Sequence, residues 1–427
     1  NDLIDKQAYW LKIVFKEQPD LKKYITTPDG NIYSLPNIDD GYHVVYPQKM
    51  WINTTWLDNL GLDMPKTTDD FYNVLKAFRD NDPNGNNKKD EIPLSTCKSG
   101  ANVELDGFLM NPFVYSPGLD RLWVKDGKVV LSAVMDEYKE GLKYLNKLYK
   151  EGLIYKESFT QDQKTQANLN ESGDQPILGA YPALRVGYGC VLTASNRWHQ
   201  YNSVPPLEGP SGNRIAAYHP YTTKYTTGFA SITKACKNPE AAFRLLDYMY
   251  SEEGTIAAMI GREGKEWVKA SPEDKGMDGR PAKYKQLVVD TKDPEYINIT
   301  WGQLFPNYRP KDYQFSWAFP QDPYDPNVSP MTGRMRLFYL ATIEHEKVAQ
   351  KIENVLPALY YSQDVIGEVT QLKTTINDYI NESVVAFITG YKDIDKEWNN
   401  YLQELNKIGL QRYLEILQES YDKQYKK

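Results

Sequence analysis

The run Asp80-Asn-Asp82-Pro-Asn84-Gly85-Asn86-Asn87-Lys88-Lys89-Asp90-Glu91 sets oxygen-bearing side chains at alternate positions and ends in two carboxylates. A hard cation such as Ca²⁺ takes about six to eight oxygen ligands, and a tightly wound loop supplies them at this spacing. Two registers fit. Counting from Asp80, the ligands are Asp82, Asn84, Asn86, Lys88 through its carbonyl or a water, and Glu91, with Gly85 at the turn. Counting from Asp82, they are Asn84, Asn86, the Lys88 carbonyl and Asp90, with Glu91 adjacent and Asn87 at the turn, where Asn tolerates the left-handed conformation. The competing reading is a solvated turn without metal, which the same residue types favour.

The elements around the loop argue for a clip and not a switch. Thr67 or Thr68 can cap a preceding helix, Asp69 and Asp70 suit its N-terminus, and Phe71, Val74, Leu75 and Phe78 form one apolar stripe. Ile92-Pro93-Leu94 then reads as extended, so no helix follows as in a signalling pair.

Aromatic residues form the second chemical feature: 33 Tyr and nine Trp against four His. Their rings offer an apolar face with a polar tip, which suits the C–H faces and hydroxyl rims of sugars, although composition alone puts most of them in the core. The net charge of −7 argues against nucleic acid, which demands a basic face. A mean hydropathy of −0.62 and the lack of a long apolar run argue against a membrane span. The chain opens Asn-Asp-Leu-Ile-Asp, with no secretory signal. Cys97, Cys190 and Cys236 are too few and too scattered for a disulfide framework or a zinc site.

At 427 residues the chain holds two or three domains' worth of core. Pro28–Asn31 predicts a turn into a strand over Ile32–Leu35, and residues 43–53 alternate toward Trp51-Ile52-Asn53. Helices are predicted over Asp136–Glu151, with Gly152 as stop, and from Asn238-Pro239-Glu240 onward. Asp126-Gly127 predicts a hairpin within Leu122–Leu131. Residues 290–333 show little periodicity and read as a functional loop. From 335 to the end the pattern is helical, and no internal repeat is present. Alternation of strands and helices over 30–250 predicts an α/β architecture.

Four stretches carry a family resemblance: Gly30–Pro36; Trp51–Thr67 running on through the acidic loop to Pro93; Tyr138–Ile154; and the tail from Gly390 through Trp398 to Tyr421. The chain resembles the family 1 extracellular solute-binding proteins, the lipoproteins that deliver oligosaccharides to ABC importers of Gram-positive bacteria. The resemblance implies a two-lobe, periplasmic-binding-protein-like α/β fold with crossing hinge strands and a helical C-terminal region. It implies lobe segments 1–45 and 229–340 for one lobe and 46–228 and 341–427 for the other. It also implies a structural Ca²⁺ at 82–91 and favours the Asp82 register. Similar proteins carry a further strand–helix portion before Gly30 and a lipid-anchored cysteine; only 29 residues precede Gly30 here.

Crossings between lobes are then expected near Tyr42–Met50, Thr226–Ile232 and 335–357, and ligand contacts at such crossings and in loops without core periodicity. The candidates are Tyr42, Tyr46, Tyr181, Arg185, Trp198, Trp301, Tyr308 and Trp317, with Arg309 as a second arginine able to fork onto hydroxyls or a carboxylate. The resulting expectation is a monomeric, non-catalytic carrier that binds an oligosaccharide outside the cell, closes over it and docks on an ABC permease, with membrane contact only through a lipid anchor. A polysaccharide-active enzyme and a cell-surface adhesion module are the rivals. No Gly-x-Ser-x-Gly, His-Glu-x-x-His or phosphate loop is present, Gly187-Tyr-Gly189 lacks a third glycine, and no carboxylate pair stands out among 57 acidic residues.

Overall fold

The turn before the first strand is tighter than its sequence suggests. The Asp29 carboxylate accepts hydrogen bonds from Thr27 Oγ1 (2.6 Å), Asn31 N (3.0 Å) and Tyr33 OH (2.6 Å). These bonds tie residues up to Tyr33 to the turn, so the strand runs Leu35–Asp39, three residues beyond its predicted start. The computed structural model describes residues 1–27, 29–118, 120–192, 195–218, 224–287, 304–325 and 330–426. Trp301 lies outside the described residues, as does much of the 290–333 loop.

The chain divides into two compact units, one of 1–42 with 222–325 and the other of 43–221 with 326–427. In the first unit, strand Leu35–Asp39 is central, parallel to Tyr308–Arg309 and antiparallel to Tyr225–Ala230. Its Ile38 joins Leu11, Val14, Leu21, Phe243 and Tyr308 in the core. The Asp247 carboxylate receives the backbone N–H groups of Tyr9, Trp10 and Leu11 at 2.8–3.0 Å. A side chain from helix Pro239–Tyr248 thereby caps helix Trp10–Glu17, satisfying donors that a helix start leaves open.

The second unit is built on a four-stranded sheet in the order 92–94, 178–182, 50–53, 201–204, parallel between the first two and antiparallel thereafter. Helix Thr68–Asp80 begins with a capping box between Thr67 and Asp70 and buries Phe71, Val74, Leu75 and Phe78, the predicted stripe. The predicted hairpin pairs Leu122–Lys125 with Lys128–Leu131; Asp126 and Gly127 sit at φ 50° and 74°, as a two-residue turn of that hand requires. Helix Asp136–Lys150 packs its apolar side against helix Ile366–Thr389, and Ile394–Ile408 and Leu410–Tyr425 complete the core. The C-terminal region is helical but not continuously so. Helix Pro330–Glu346 ends, and Val355 and Leu356 enter the core in extended form before Pro357. Gln424 holds this extended segment by bonding both N and O of Tyr360 (2.9 and 2.8 Å). Among the described residues no helix is long and apolar enough to cross a membrane.

Candidate functional site

The loop after helix Thr68–Asp80 is wound by its own side chains. Asp82 Oδ1 accepts from Asn86 N (3.1 Å) and Asp82 Oδ2 from Asn87 N (2.7 Å). Asn84 Oδ1 accepts from Asn86 N (3.0 Å) and Asn86 Oδ1 from Lys88 N (2.8 Å). Gly85 and Asn87 both take positive φ, 69° and 59°. Asp80 stands apart, its two oxygens taken by Arg79 at 2.6 and 2.9 Å. Left-handed Gly85 and Asn87 suit the turn positions of the Asp80 and Asp82 registers respectively, while Asp82 rather than Asp80 carries bonds to the loop's backbone.

The donor set fits a hard cation. Asp82, Asn84, Asn86 and Asp90 present side-chain oxygens, and Glu91 Oε1 is buried with no hydrogen-bond partner among the described residues. Burial first, then the neighbouring Asp90 and Asp82, push the Glu91 carboxyl above its ordinary value. The loop's carboxylates do not converge, however. Asp90 accepts from the amides of Asn84 (3.2 Å) and Asn86 (3.1 Å), and no three His, Cys, Asp or Glu are grouped around one point among the described residues.

In the first unit, strand alternation sends Ile38 and Tyr308 to the core and turns Asn37, Asp39, Asn307 and Arg309 to the opposite face. That face is polar yet buried. Asp39 and Arg309 pair at 2.6 Å, while Asn37 Oδ1, Asp39 Oδ1, Asn307 Oδ1 and Arg309 Nε are sealed from solvent without partners among the described residues. Burial raises the Asp39 carboxyl, opposed by Arg309. Tyr42 packs 5.7 Å from Phe315, with Lys311 4.9 Å over its ring. Trp317 packs against Tyr284 (5.2 Å), Tyr313 (6.1 Å) and Trp267 (6.2 Å). In the second unit, Tyr46 meets Tyr218 at 5.0 Å. Beside it the fully buried Lys49 donates to the Tyr46 carbonyl, and burial pulls its ammonium down to about 7.

Three of the sequence candidates lie inside the packing of their own unit. Tyr181 has no exposed surface, and its hydroxyl donates to Val186 O (2.6 Å). Trp198 is likewise buried, edge-on to His199. Tyr308 packs in the first unit's core with its hydroxyl donating to Glu17 (2.8 Å). Their rings fill space that packing requires. Tyr42, Tyr46 and Trp317 are buried as well, and among the described candidates only Arg185 is exposed; Tyr42 and Trp317 fall in the first unit, Tyr46 and Arg185 in the second. Asp39, Tyr313, Tyr218 and Arg334 were not singled out from sequence; no motif or period marks them.

Residues 1–256 match the family described as bacterial extracellular solute-binding protein. The chain belongs to this family. It is 32% identical, over 99% of its own length and 75% of the relative's, to the fructooligosaccharide ABC transporter substrate-binding protein FusA of Streptococcus pneumoniae. The structure of FusA in complex with kestose superposes with a TM-score of 0.77 at 30% identity, covering 99% of this chain and 82% of that one. An EF-hand mutant of FusA bound to fructo-nystose superposes at 0.74 with the same identity and coverage. The resemblance read from the four sequence stretches, and the two-lobe α/β fold class it implies, are thereby established.

Proposed function

We propose that this chain is a non-catalytic carrier that captures a soluble oligosaccharide outside the cell and hands it to an ABC permease. The observation that carries this reading is the polar, buried sheet face of the first unit. Four unpartnered atoms on Asn37, Asp39, Asn307 and Arg309 would each cost about 1–3 kcal/mol if left so, and a guest rich in hydroxyls offers partners to whichever of them a movement of the covering groups uncovers. The half-buried Tyr313, backed by Trp317, supplies a ring in the same unit for its C–H faces. The ligands in the FusA structures, kestose and fructo-nystose, support the choice of an oligosaccharide.

The loop from Asp82 is read as a structural calcium site, with Asp82, Asn84, Asn86, Asp90, the Lys88 carbonyl and Glu91 as the holding groups; the EF-hand of FusA supports it. The ion would supply charge compensation for Asp82, Asp90 and Glu91 and no reaction chemistry. The carrier is further read as a monomer tethered by a lipid anchor.

A thermal-shift screen with calcium present tests the carrier. At least one oligosaccharide in a panel of fructans, plant-wall, host and microbial glycans should raise the melting temperature, since a ligand of the folded state stabilises it by mass action. A panel that leaves melting unchanged throughout removes the reading.

A further inference from the structure

Arg334, on helix Pro330–Glu346 in the second unit, is only 9% exposed. Its Nε is sealed from solvent with no acceptor, and among the described residues its guanidinium makes neither a hydrogen bond nor an ion pair. The guanidinium carbon lies 5.8 Å over the face of Phe338. The charge near it has the same sign. Arg185, exposed in the loop after strand Leu178–Pro182, repels it and has no carboxylate partner among the described residues. Burial, then Arg185, lowers the Arg334 guanidinium to about 10, far below the usual arginine range. The stretches of this unit outside the described residues (119, 193–194, 219–221, 326–329 and 427) contain no Asp or Glu.

A buried guanidinium without an acceptor is a large cost, and a second arginine beside it adds to that cost. Packing gives no reason to keep it, because an apolar side chain of similar volume would fill the space at less cost. Among the described residues of this unit no carboxylate supplies the counter-charge, which leaves the place open to one carried by a ligand. Sugar hydroxyls would satisfy donors but leave both charges uncompensated. A carboxylate does both: its two oxygens match the planar fork of a guanidinium, and it can bridge two of them.

We propose that Arg185 and Arg334 form an anion subsite for a carboxylate on the glycan, so that the oligosaccharide carried is acidic, with at least one uronic-acid-type unit. This rests on the carrier reading above and narrows its ligand class.

The test is calorimetric titration of the full chain, in calcium, with short oligomers of galacturonate, of mannuronate and guluronate, and of glucuronate alternating with N-acetylhexosamine. The carboxyl-reduced form of each, kestose, and a phosphorylated disaccharide are titrated in parallel. At least one carboxylated oligomer should bind about tenfold or more tighter than its reduced form, the scale of a charge-assisted fork. That advantage should shrink as salt is raised. Arg334→Gln and Arg185→Gln should each remove about tenfold from the carboxylated oligomer and leave the reduced form unchanged. Without ligand, Arg334→Gln should melt no lower than wild type, whereas an arginine that holds the fold together would give a lower melting temperature. Kestose or a reduced form binding at least as well as every carboxylated oligomer overturns the inference and leaves the carrier standing. So does tighter binding of the phosphorylated disaccharide. Binding of no probe at all overturns both.

Discussion

Asp82→Ala separates the metal's share of stability from that of the loop's own hydrogen bonds. Asp82 receives two backbone N–H groups, at 3.1 and 2.7 Å, in an exposed loop. Discounted for solvent, the two bonds contribute roughly 1–2 kcal/mol with or without an ion. Calcium at about a hundred times its dissociation constant adds about 2.7 kcal/mol to the wild type. For a unit of this size that amounts to a rise of about 5–8 °C in melting temperature. The alanine variant should melt lower in chelator and gain nothing from calcium. Asp80→Ala should retain the full calcium gain, because Asp80 is already held by Arg79. pH supplies a second signature. Burial raises the Glu91 carboxyl, so its protonated form suits the metal-free fold. The chelated protein therefore draws stability from Glu91 at low pH and loses it as pH climbs above the ordinary 4.5; calcium, which needs the ionised form, flattens that loss. Calorimetry in calcium and in chelator, with metal content measured, reads all of these. Identical wild-type melting in both buffers, with no metal retained, refutes the calcium site. Loss of the response in Asp80→Ala but not in Asp82→Ala refutes the register.

Two further outcomes follow from buried charge in the second unit. Asp106 and Arg121 pair at 2.8 Å with both side chains about 95% buried, and Tyr138 OH donates to the same carboxylate (2.6 Å). Asp106→Ala strands the guanidinium and should cost about 3–5 kcal/mol in denaturant melts; a loss below about 1 kcal/mol would show that the pair is not buried in solution. Lys49, lowered to about 7, binds its proton less readily folded than unfolded, so its contribution to stability falls as pH drops from the ordinary 10.5 toward 7. Lys49→Met should therefore exceed wild type in stability near pH 7, with the gap closing by about 1.4 kcal/mol per unit toward pH 10; a gap independent of pH contradicts the buried ammonium.

Where one local rule acted, the sequence was readable. Thr67 and a 3.6-residue apolar stripe marked helix Thr68–Asp80, and Asp126-Gly127 marked the hairpin. Misplacements came from bonds between distant residues or from side chains that outbid the ladder. Asp29 drew Tyr33 out of the first strand, and Gln424 held Tyr360 in an extended segment within a helical tail. The site was less legible than the fold. Alternate oxygens displayed the loop at 82–91 because its ligands are neighbours in sequence. The face of Asn37, Asp39, Asn307 and Arg309 assembles from strands some 270 residues apart (307 − 37), which no window on the chain reveals. Aromatic residues were the hardest to place: Tyr181 and Tyr308 are buried with their hydroxyls bonded, since an amphipathic ring serves equally well in a core when its polar tip finds a partner.

Equilibrium dialysis of the purified chain against a stabilising oligosaccharide, followed by release and chain-length analysis, bears most directly on the carrier. One glycan bound per protein, recovered at its original length after prolonged incubation, is the predicted result. Shortened products, or retention only by insoluble polymer with no uptake of soluble oligomer, would contradict it.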